Sequence, residues 1–240
     1  LVFDFYNTYV FAETFYTIIG LNIIENKAAF SKDETFNITD PYANFVYVSD
    51  VGFHMNAGVR LNNHNVYGSH FIYNFNPSFL LKSDMSYTKI FGSYSTSFIT
   101  PSLSHLYGDF GANPNLKPEE NLTIEAGIEY KMNDNFRISG VFFSREEKNT
   151  VLWIDGGYLN AADLLNARGV EVELNTTPIE KISIEANYSF TEYKGTFESR
   201  LPKHKANVQL SYQVSKTTIT SLSYQYAHEQ FEISFSLLVV

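Results

Sequence analysis

Asn121-Leu122-Thr123-Ile124-Glu125-Ala126-Gly127-Ile128-Glu129-Tyr130-Lys131-Met132 puts Leu, Ile, Ala, Ile, Tyr and Met on even positions. The odd positions carry Asn, Thr, Glu, Gly, Glu and Lys. Successive side chains of a strand point to opposite faces, so this stretch has one apolar and one polar face. The pattern recurs in Phe53/Met55/Ala57/Val59/Leu61 against His54/Asn56/Gly58/Arg60/Asn62. Ile182/Ile184/Ala186/Tyr188/Phe190 and Ala206/Val208/Leu210/Tyr212/Val214 are two further copies. Helical spacing is scarce, with Ala161–Ala167 as the one short candidate. The sequence therefore reads as all-β.

Connection lengths alternate. Short turns are expected near Asp50-Val51-Gly52, Ser83-Asp84-Met85, Asn133-Asp134-Asn135, Thr177-Pro178-Ile179 and Ser215-Lys216-Thr217. Long polar stretches separate them at Ser31–Ala43, Asn62–His70, Ile99–Glu120, Glu146–Asn166 and Thr191–His204. Alternate connections of an antiparallel up-and-down meander lie on the same edge, so one edge is trimmed and the other carries loops. Transmembrane barrels have that asymmetry, and a soluble sandwich gives no reason for it. Tyr47, Phe53, Phe79, Tyr130, Phe136 and Tyr212 stand near the short turns. Phe71, Tyr73, Tyr94, Phe98, Phe142, Tyr188, Phe190, Tyr224 and Tyr226 stand toward the loops. Two such rows suit the two interfaces of a membrane.

Charge sorting supports the same reading. A cation at mid-bilayer on the lipid face costs about 2–4 kcal/mol, and Arg60, Glu125, Glu129, Glu185 and Lys205 all fall on the polar parity. The expectation is about 11–12 strands forming part of a transmembrane barrel, an open curved sheet unless artificially closed. Phe3–Tyr16 and Thr17–Ile24 could form two strands or one irregular one.

Composition bounds the function. Of 240 residues, 18% are charged and 16% aromatic, against about 25% charged in average soluble domains. That excludes a disordered chain. A net charge of -9 without a Lys/Arg tract argues against nucleic acid as partner. The absence of Cys removes disulfides, thiolate metal sites and cysteine nucleophiles. No apolar run approaches the roughly 18–20 residues of a transmembrane helix. Leu1-Val2-Phe3-Asp4 lacks an initiator Met and a signal pattern, so the chain is expected to start inside a larger protein. No nucleotide loop or nucleophile elbow occurs. No cofactor and no enzyme activity is expected.

The longest loop reads Tyr94-Ser95-Thr96-Ser97-Phe98-Ile99-Thr100-Pro101-Ser102-Leu103, then His105-Leu106-Tyr107, then Asn113-Pro114-Asn115-Leu116-Lys117-Pro118-Glu119. A strand with Glu125-Ala126-Gly127-Ile128-Glu129 follows. This order resembles the barrel of TonB-dependent outer-membrane receptors, in their cobalamin/siderophore-receptor branch. Tyr158-Leu159-Asn160, Gly169-Val170-Glu171-Val172-Glu173, Ala186-Asn187-Tyr188-Ser189-Phe190 and Leu201-Pro202-Lys203-His204-Lys205 extend the likeness over roughly residues 43–227. The resemblance implies a Gram-negative outer-membrane receptor, in contact with outer-membrane lipid, that takes up an iron chelate or cobalamin. It also implies energy from the TonB complex through a plug domain. By the same resemblance the chain is an internal piece of the C-terminal half of the barrel, without the plug and without the closing strands.

Within the motif loop, Pro101, Ser102, Leu103, Asn113, Pro114, Asn115, Leu116, Lys117, Pro118 and Glu119 are candidate site residues. Pro114 and Pro118 fix φ and keep the segment extended, so a structural brace is the simpler role. His64, Tyr67, His70, His105, Tyr107, Tyr158 and Asn160 are the candidate ligand contacts in the loops. Neither His54, His204 and His228 nor these loop histidines have metal-ligand spacing, so no metal site is expected. Glu171 and Glu173 read as a hydrated wall rather than an acid–base pair. A passive porin or adhesive barrel and a soluble β-sandwich are the rival readings.

Overall fold

The computed structural model describes residues 1–30, 33–194, 202–227 and 230–239. His228 and Leu201, singled out above, and residues 195–201 of the Thr191–His204 connection lie outside this set. The elements are β1 (Val2–Ala12), β2 (Phe15–Ala29), β3 (Asp33–Val48), β4 (Phe53–His64), β5 (Gly68–Lys82), β6 (Ser86–Ile99) and α1 (Leu103–Tyr107). They continue with β7 (Glu119–Met132), β8 (Phe136–Lys148), β9 (Val151–Ile154), β10 (Gly157–Asn160), β11 (Leu165–Ile179), β12 (Ile182–Lys194), β13 (His204–Ser215), β14 (Thr218–Ala227) and β15 (Gln230–Val239). Thirteen strands form one sheet in the order β1 to β8, then β11 to β15, and β9 pairs only with β10. The pairs β1–β2, β2–β3, β3–β4, β12–β13, β13–β14 and β14–β15 are antiparallel.

Two compact units divide the chain. The first holds residues 1–77, 93–124 and 145–166; the second holds 78–92, 125–144 and 167–240.

In the first unit the registers align side chains across strands. Asp4 faces Asn22, and Asn22 faces Asp40. Directly opposed residues share a face, so these polar groups form one row. Asn62 joins it by donating both contacts of its amide to Asp40, at 3.0 and 3.1 Å. That bonding allows the Asp40 carboxylate to be only 3% exposed. On the opposite face Phe3, Phe5, Ile19, Ile23, Phe45, Val59 and Leu61 are exposed. Large apolar side chains left bare in regular rows mean that lipid, rather than a second layer of protein, covers them.

In the second unit the same parity holds. Val208, Leu210, Tyr212 and Val214 of β13 are exposed, while Asn207 donates to Asn187 on the polar face at 2.8 Å. Arg137 donates to Glu129 at 3.0 and 2.6 Å and to Glu173 at 3.3 Å, and Tyr87 donates to Glu129 at 2.5 Å. Four strands are thereby tied through charges kept off the apolar face.

Three expectations are corrected. Most of Ser31–Ala43 and Asn62–His70 is strand, because β2–β5 run past the apolar band. Asp33-Glu34-Thr35-Phe36-Asn37 hides that in the sequence, since this hairpin buries the single ring of Phe36 on a loop core instead of running an apolar row along lipid. Ala161–Ala167 is not helical; 161–164 is irregular and β11 begins at Leu165, while α1 is the helix among the described residues. The turn expected at Thr177-Pro178-Ile179 falls two residues later, since β11 continues to Ile179.

Several polar-face glycines accept a neighbouring ring. A Cβ on Gly127 would run into the Phe91 ring, and one on Gly20 into Tyr42. Gly127→Ala should therefore cost about 1–3 kcal/mol by overpacking. Heat-modifiability on unheated gels would show it as unfolding at lower temperature, with partial recovery on adding Phe91→Ala.

Candidate functional site

The loop side of the first unit is built on a small dry core. Phe36, Leu103, Leu106 and Leu116 are buried, Leu106 to 1% exposure, with Ala28, Phe30, Tyr67, Tyr107, Val151 and Tyr158 packed around them. The β2–β3 hairpin supplies Phe36, α1 supplies two leucines, and the motif loop supplies Leu116. Helix α1 starts where Ser102 accepts from the His105 N–H at 3.1 Å. Pro101 precedes that cap, and the helix ends with the Gly108 N–H donating to Ser104 at 3.0 Å.

A clasp of hydrogen bonds closes over this core. Asn113 accepts from the Asn115 N–H at 3.0 Å and donates to the Tyr158 carbonyl at 2.9 Å. Its own N–H donates to the His105 carbonyl at 2.8 Å. Asn160 accepts from the Lys117 N–H at 2.8 Å and donates to the carbonyls of Lys117 and Asn149, at 2.9 and 2.6 Å. Asn149 donates to the Pro118 carbonyl at 3.2 Å, and Glu119 accepts from the Val151 N–H at 2.7 Å. Pro114 and Pro118 remove two N–H groups that the clasp would otherwise have to satisfy. The motif run is thus joined side chain to backbone with β9 and β10.

That hairpin has a local origin of its own. Ile154 pairs with Gly157 across Asp155 and Gly156, both at positive φ (49° and 86°). Asp-Gly is the dipeptide that such a two-residue turn requires. It carries Trp153, whose ring meets Tyr158 edge-on at 4.8 Å between centroids, and Tyr158 in turn lies 4.3 Å from the His105 ring. Gly111, at φ 60°, lets the Trp153 ring close over the backbone, since a Cβ there would sit 2.5 Å from it. Trp153 remains 52% exposed and Phe110 83% exposed. A ring surface facing outward on a braced base is what the clasp produces.

The sequence candidates separate into two groups. His105 and Tyr158 gather at this surface, while Tyr107 packs on the dry core beneath it. His64, Tyr67 and Asn160 hold the loops instead: His64 is 3% exposed, with Nδ1 accepting from the Val66 and Tyr67 N–H groups at 3.1 and 3.4 Å. Tyr67 donates to the Leu116 carbonyl at 3.1 Å. His70 stacks on Phe98 at 3.7 Å, and its Nε2 lies 3.0 Å from the Tyr67 carbonyl. Phe98 also lines a cavity of about 700 Å³ with Tyr42, Arg60 and Asn74. Trp153 and Phe110 were absent from the sequence candidates, although a lone Trp two residues before Asp-Gly was the available signal. No three His, Asp or Glu side chains group as metal ligands among the described residues.

Comparison with known proteins follows the same lines. The family model for the TonB dependent receptor-like β-barrel matches residues 2–234. An iron-regulated outer membrane virulence protein of Vibrio cholerae is 25% identical over 201 residues, covering 68% of this chain and 29% of the relative. An uncharacterized TonB-dependent receptor of Haemophilus influenzae is 25% identical over 118 residues, or 43% of this chain and 34% of the relative. The chain thus spans about a third of the length of these curated relatives. Among solved structures, the siderophore receptor PirA of Pseudomonas aeruginosa superposes with a TM-score of 0.79 at 18% identity, over 98% of this chain and 46% of that one. The FrpB iron transporter of Neisseria meningitidis gives 0.72 at 13% identity, over 93% and 41%.

Two outcomes test the base of the site. Asn160→Ala removes three hydrogen bonds, each worth about 1 kcal/mol net, and should expose the 109–118 segment to protease while the sheet unfolds as before. His64 ends β4 on the loop side, where burial, and then the charge of His70, hold its imidazole below the ordinary value. Protonating Nδ1 would break both N–H contacts. Loop-core stability should therefore be complete above about pH 6.5 and fall as pH drops through the lowered value. Amide exchange at Val66 and Tyr67, corrected for its intrinsic pH dependence, should rise on acidification in wild type and stay level in His64→Gln.

Proposed function

This chain belongs to the TonB-dependent receptor β-barrel family, and on that premise we propose that it is part of an outer-membrane receptor for an iron chelate. The protein is an outer-membrane protein of the Gram-negative type. Residues 1–240 form part of one barrel domain. The alternating faces supply a wall between hydrocarbon and water, and the loop side supplies the binding surface. In this reading the protein binds and moves its ligand without making or breaking bonds in it.

The observation that carries the proposal is the outward aromatic surface of Phe110, Trp153, Tyr158 and His105, supported from below by the Asn113–Asn160 clasp. A scarce ligand must be held before it is transported, and flat rings fixed in place contribute contact area without a large entropic loss on binding. A passive pore would have no use for a preformed surface of this kind outside its mouth. Iron chelate is preferred to cobalamin because relatives of this fold carry names such as siderophore receptor and iron transporter. Energy is supplied by the TonB complex acting through a plug domain.

Cells expressing the receptor that carries this chain should accumulate a radiolabelled ferric siderophore only when TonB is present. Uptake that persists without TonB would support a passive pore, and TonB-dependent uptake of cobalamin alone would reassign the ligand. Trp153→Ala should weaken chelate binding about tenfold, the equivalent of 1.4 kcal/mol, while the protein still folds and reaches the membrane. Unchanged affinity in that variant would remove the aromatic surface from the binding site.

A further inference from the structure

The ring surface above the clasp is acidic. Residues 99–116 and 149–166, which build it, hold three aspartates and no Lys, Arg or Glu. His105 is the single basic side chain in either segment. Asp109 adjoins Phe110, and Asp155 stands two residues from Trp153. All four of these side chains are exposed. The two segments are tied at one point: the Gly111 carbonyl accepts from the Tyr158 N–H at 2.8 Å. A Cβ on Gly111 would also lie 2.5 Å from both the Gly156 carbonyl and the Trp153 ring. Asp109 and Asp155 therefore flank the same pair of outward rings, one from each segment.

The protein does not compensate these charges itself. Neither Asp109 nor Asp155 enters an ion pair among the described residues. Cations that border the two segments are engaged with carboxylates of their own, Arg145 with Glu147 at 2.7 Å and Lys148 with Glu146 at 3.8 Å. Lys117 is followed by Glu119 and Glu120. The faces of indole and phenyl rings add negative potential, which favours a cation over an anion. Two carboxylates beside bare rings thus set the sign of charge that can dock there. Iron(III) chelates differ in that sign. Three hydroxamate groups, each singly negative, cancel the charge of the ion, and an added ammonium group makes the chelate a cation. Three catecholates, each doubly negative, leave a trianion. At about 7 Å from one carboxylate, a trianion meets a screened repulsion that weakens binding about threefold.

We propose that Asp109 and Asp155 make this surface charge-selective, so that it takes neutral or cationic iron chelates of the hydroxamate type and turns away the trianionic catecholate type. The selectivity rests on the reading of the aromatic surface as the chelate site, and it adds the residues that choose between chelates. Ring contact contributes affinity for the apolar rim of either type, while the two carboxylates discriminate by repulsion.

The test uses the full-length receptor carrying this chain, purified in detergent and titrated calorimetrically with three chelates. Ferrioxamine B is a monocation, its N-acetyl derivative is neutral with the same iron shell, and ferric enterobactin is a trianion. Wild type should bind the first two more tightly than the third. Asp155→Asn leaves an Asn-Gly pair that suits the same turn, and Asp109→Asn is isosteric, so both variants change charge and little else. Each should strengthen trianion binding about threefold, weaken monocation binding by a smaller factor and leave the neutral chelate unchanged. Added salt should narrow these differences in wild type. A wild type that prefers the trianion, or Asn variants with all three affinities unaltered, would overturn the selectivity. Trp153→Ala separates this from the reading beneath it. Weaker binding of every chelate in that variant supports the ring surface as the site. Unchanged binding there, or no chelate bound by wild type, removes the site and the selectivity with it.

Discussion

Between its edge strands β1 and β15, the backbone N–H and C=O groups of the main sheet have to pair from strand to strand wherever one face lies in hydrocarbon, where no solvent can substitute. An unsatisfied group there costs several kcal/mol. That single constraint explains the long uninterrupted strands and the sorting of charges onto one parity. It also explains why the only α-helix among the described residues, five residues long, is confined to a loop. It explains the bare rows of Ile, Val, Leu and Phe, which in a water-soluble protein would be a liability.

Where the constraint acts, the fold was legible. Asn121–Met132, Phe53–Asn62, Ile182–Phe190 and Lys205–Val214 alternate cleanly, and each lies within an observed strand. The short turns at 50–52, 83–85 and 133–135 were equally plain, because Gly, Asp and Asn interrupt the alternation there. Where the constraint lapses, legibility lapses with it. The upper part of the β2–β3 hairpin packs on the small loop core through Phe36 instead of facing lipid, so its residues carry no periodic signal and read as loop. Helix α1 is too short for an amphipathic period.

The candidate site was legible in its chemistry and less so in its division of labour. The Asn-Pro-Asn-Leu-Lys-Pro-Glu run announced a structural role through its prolines, and its hydrogen bonds are of that kind. Asn160 and His64 are as polar as any ligand contact, yet their bonding atoms are turned onto the backbone. Only the register of β9 with β10, and the folding of Gly111 beneath Trp153, decide which rings face outward. Neither is written in a local pattern.

The clasp has an evolutionary corollary. Its bonds run from asparagine and glutamate side chains, and from the Asn113 N–H, to main-chain atoms, so none depends on the identity of Phe110, Leu159 or Leu164, which all lie exposed. Those positions are free to drift one at a time while the scaffold under them stays rigid. A cell-surface protein built in this way can alter the face it shows to antibodies, phages or a new nutrient without having to reinvent its architecture.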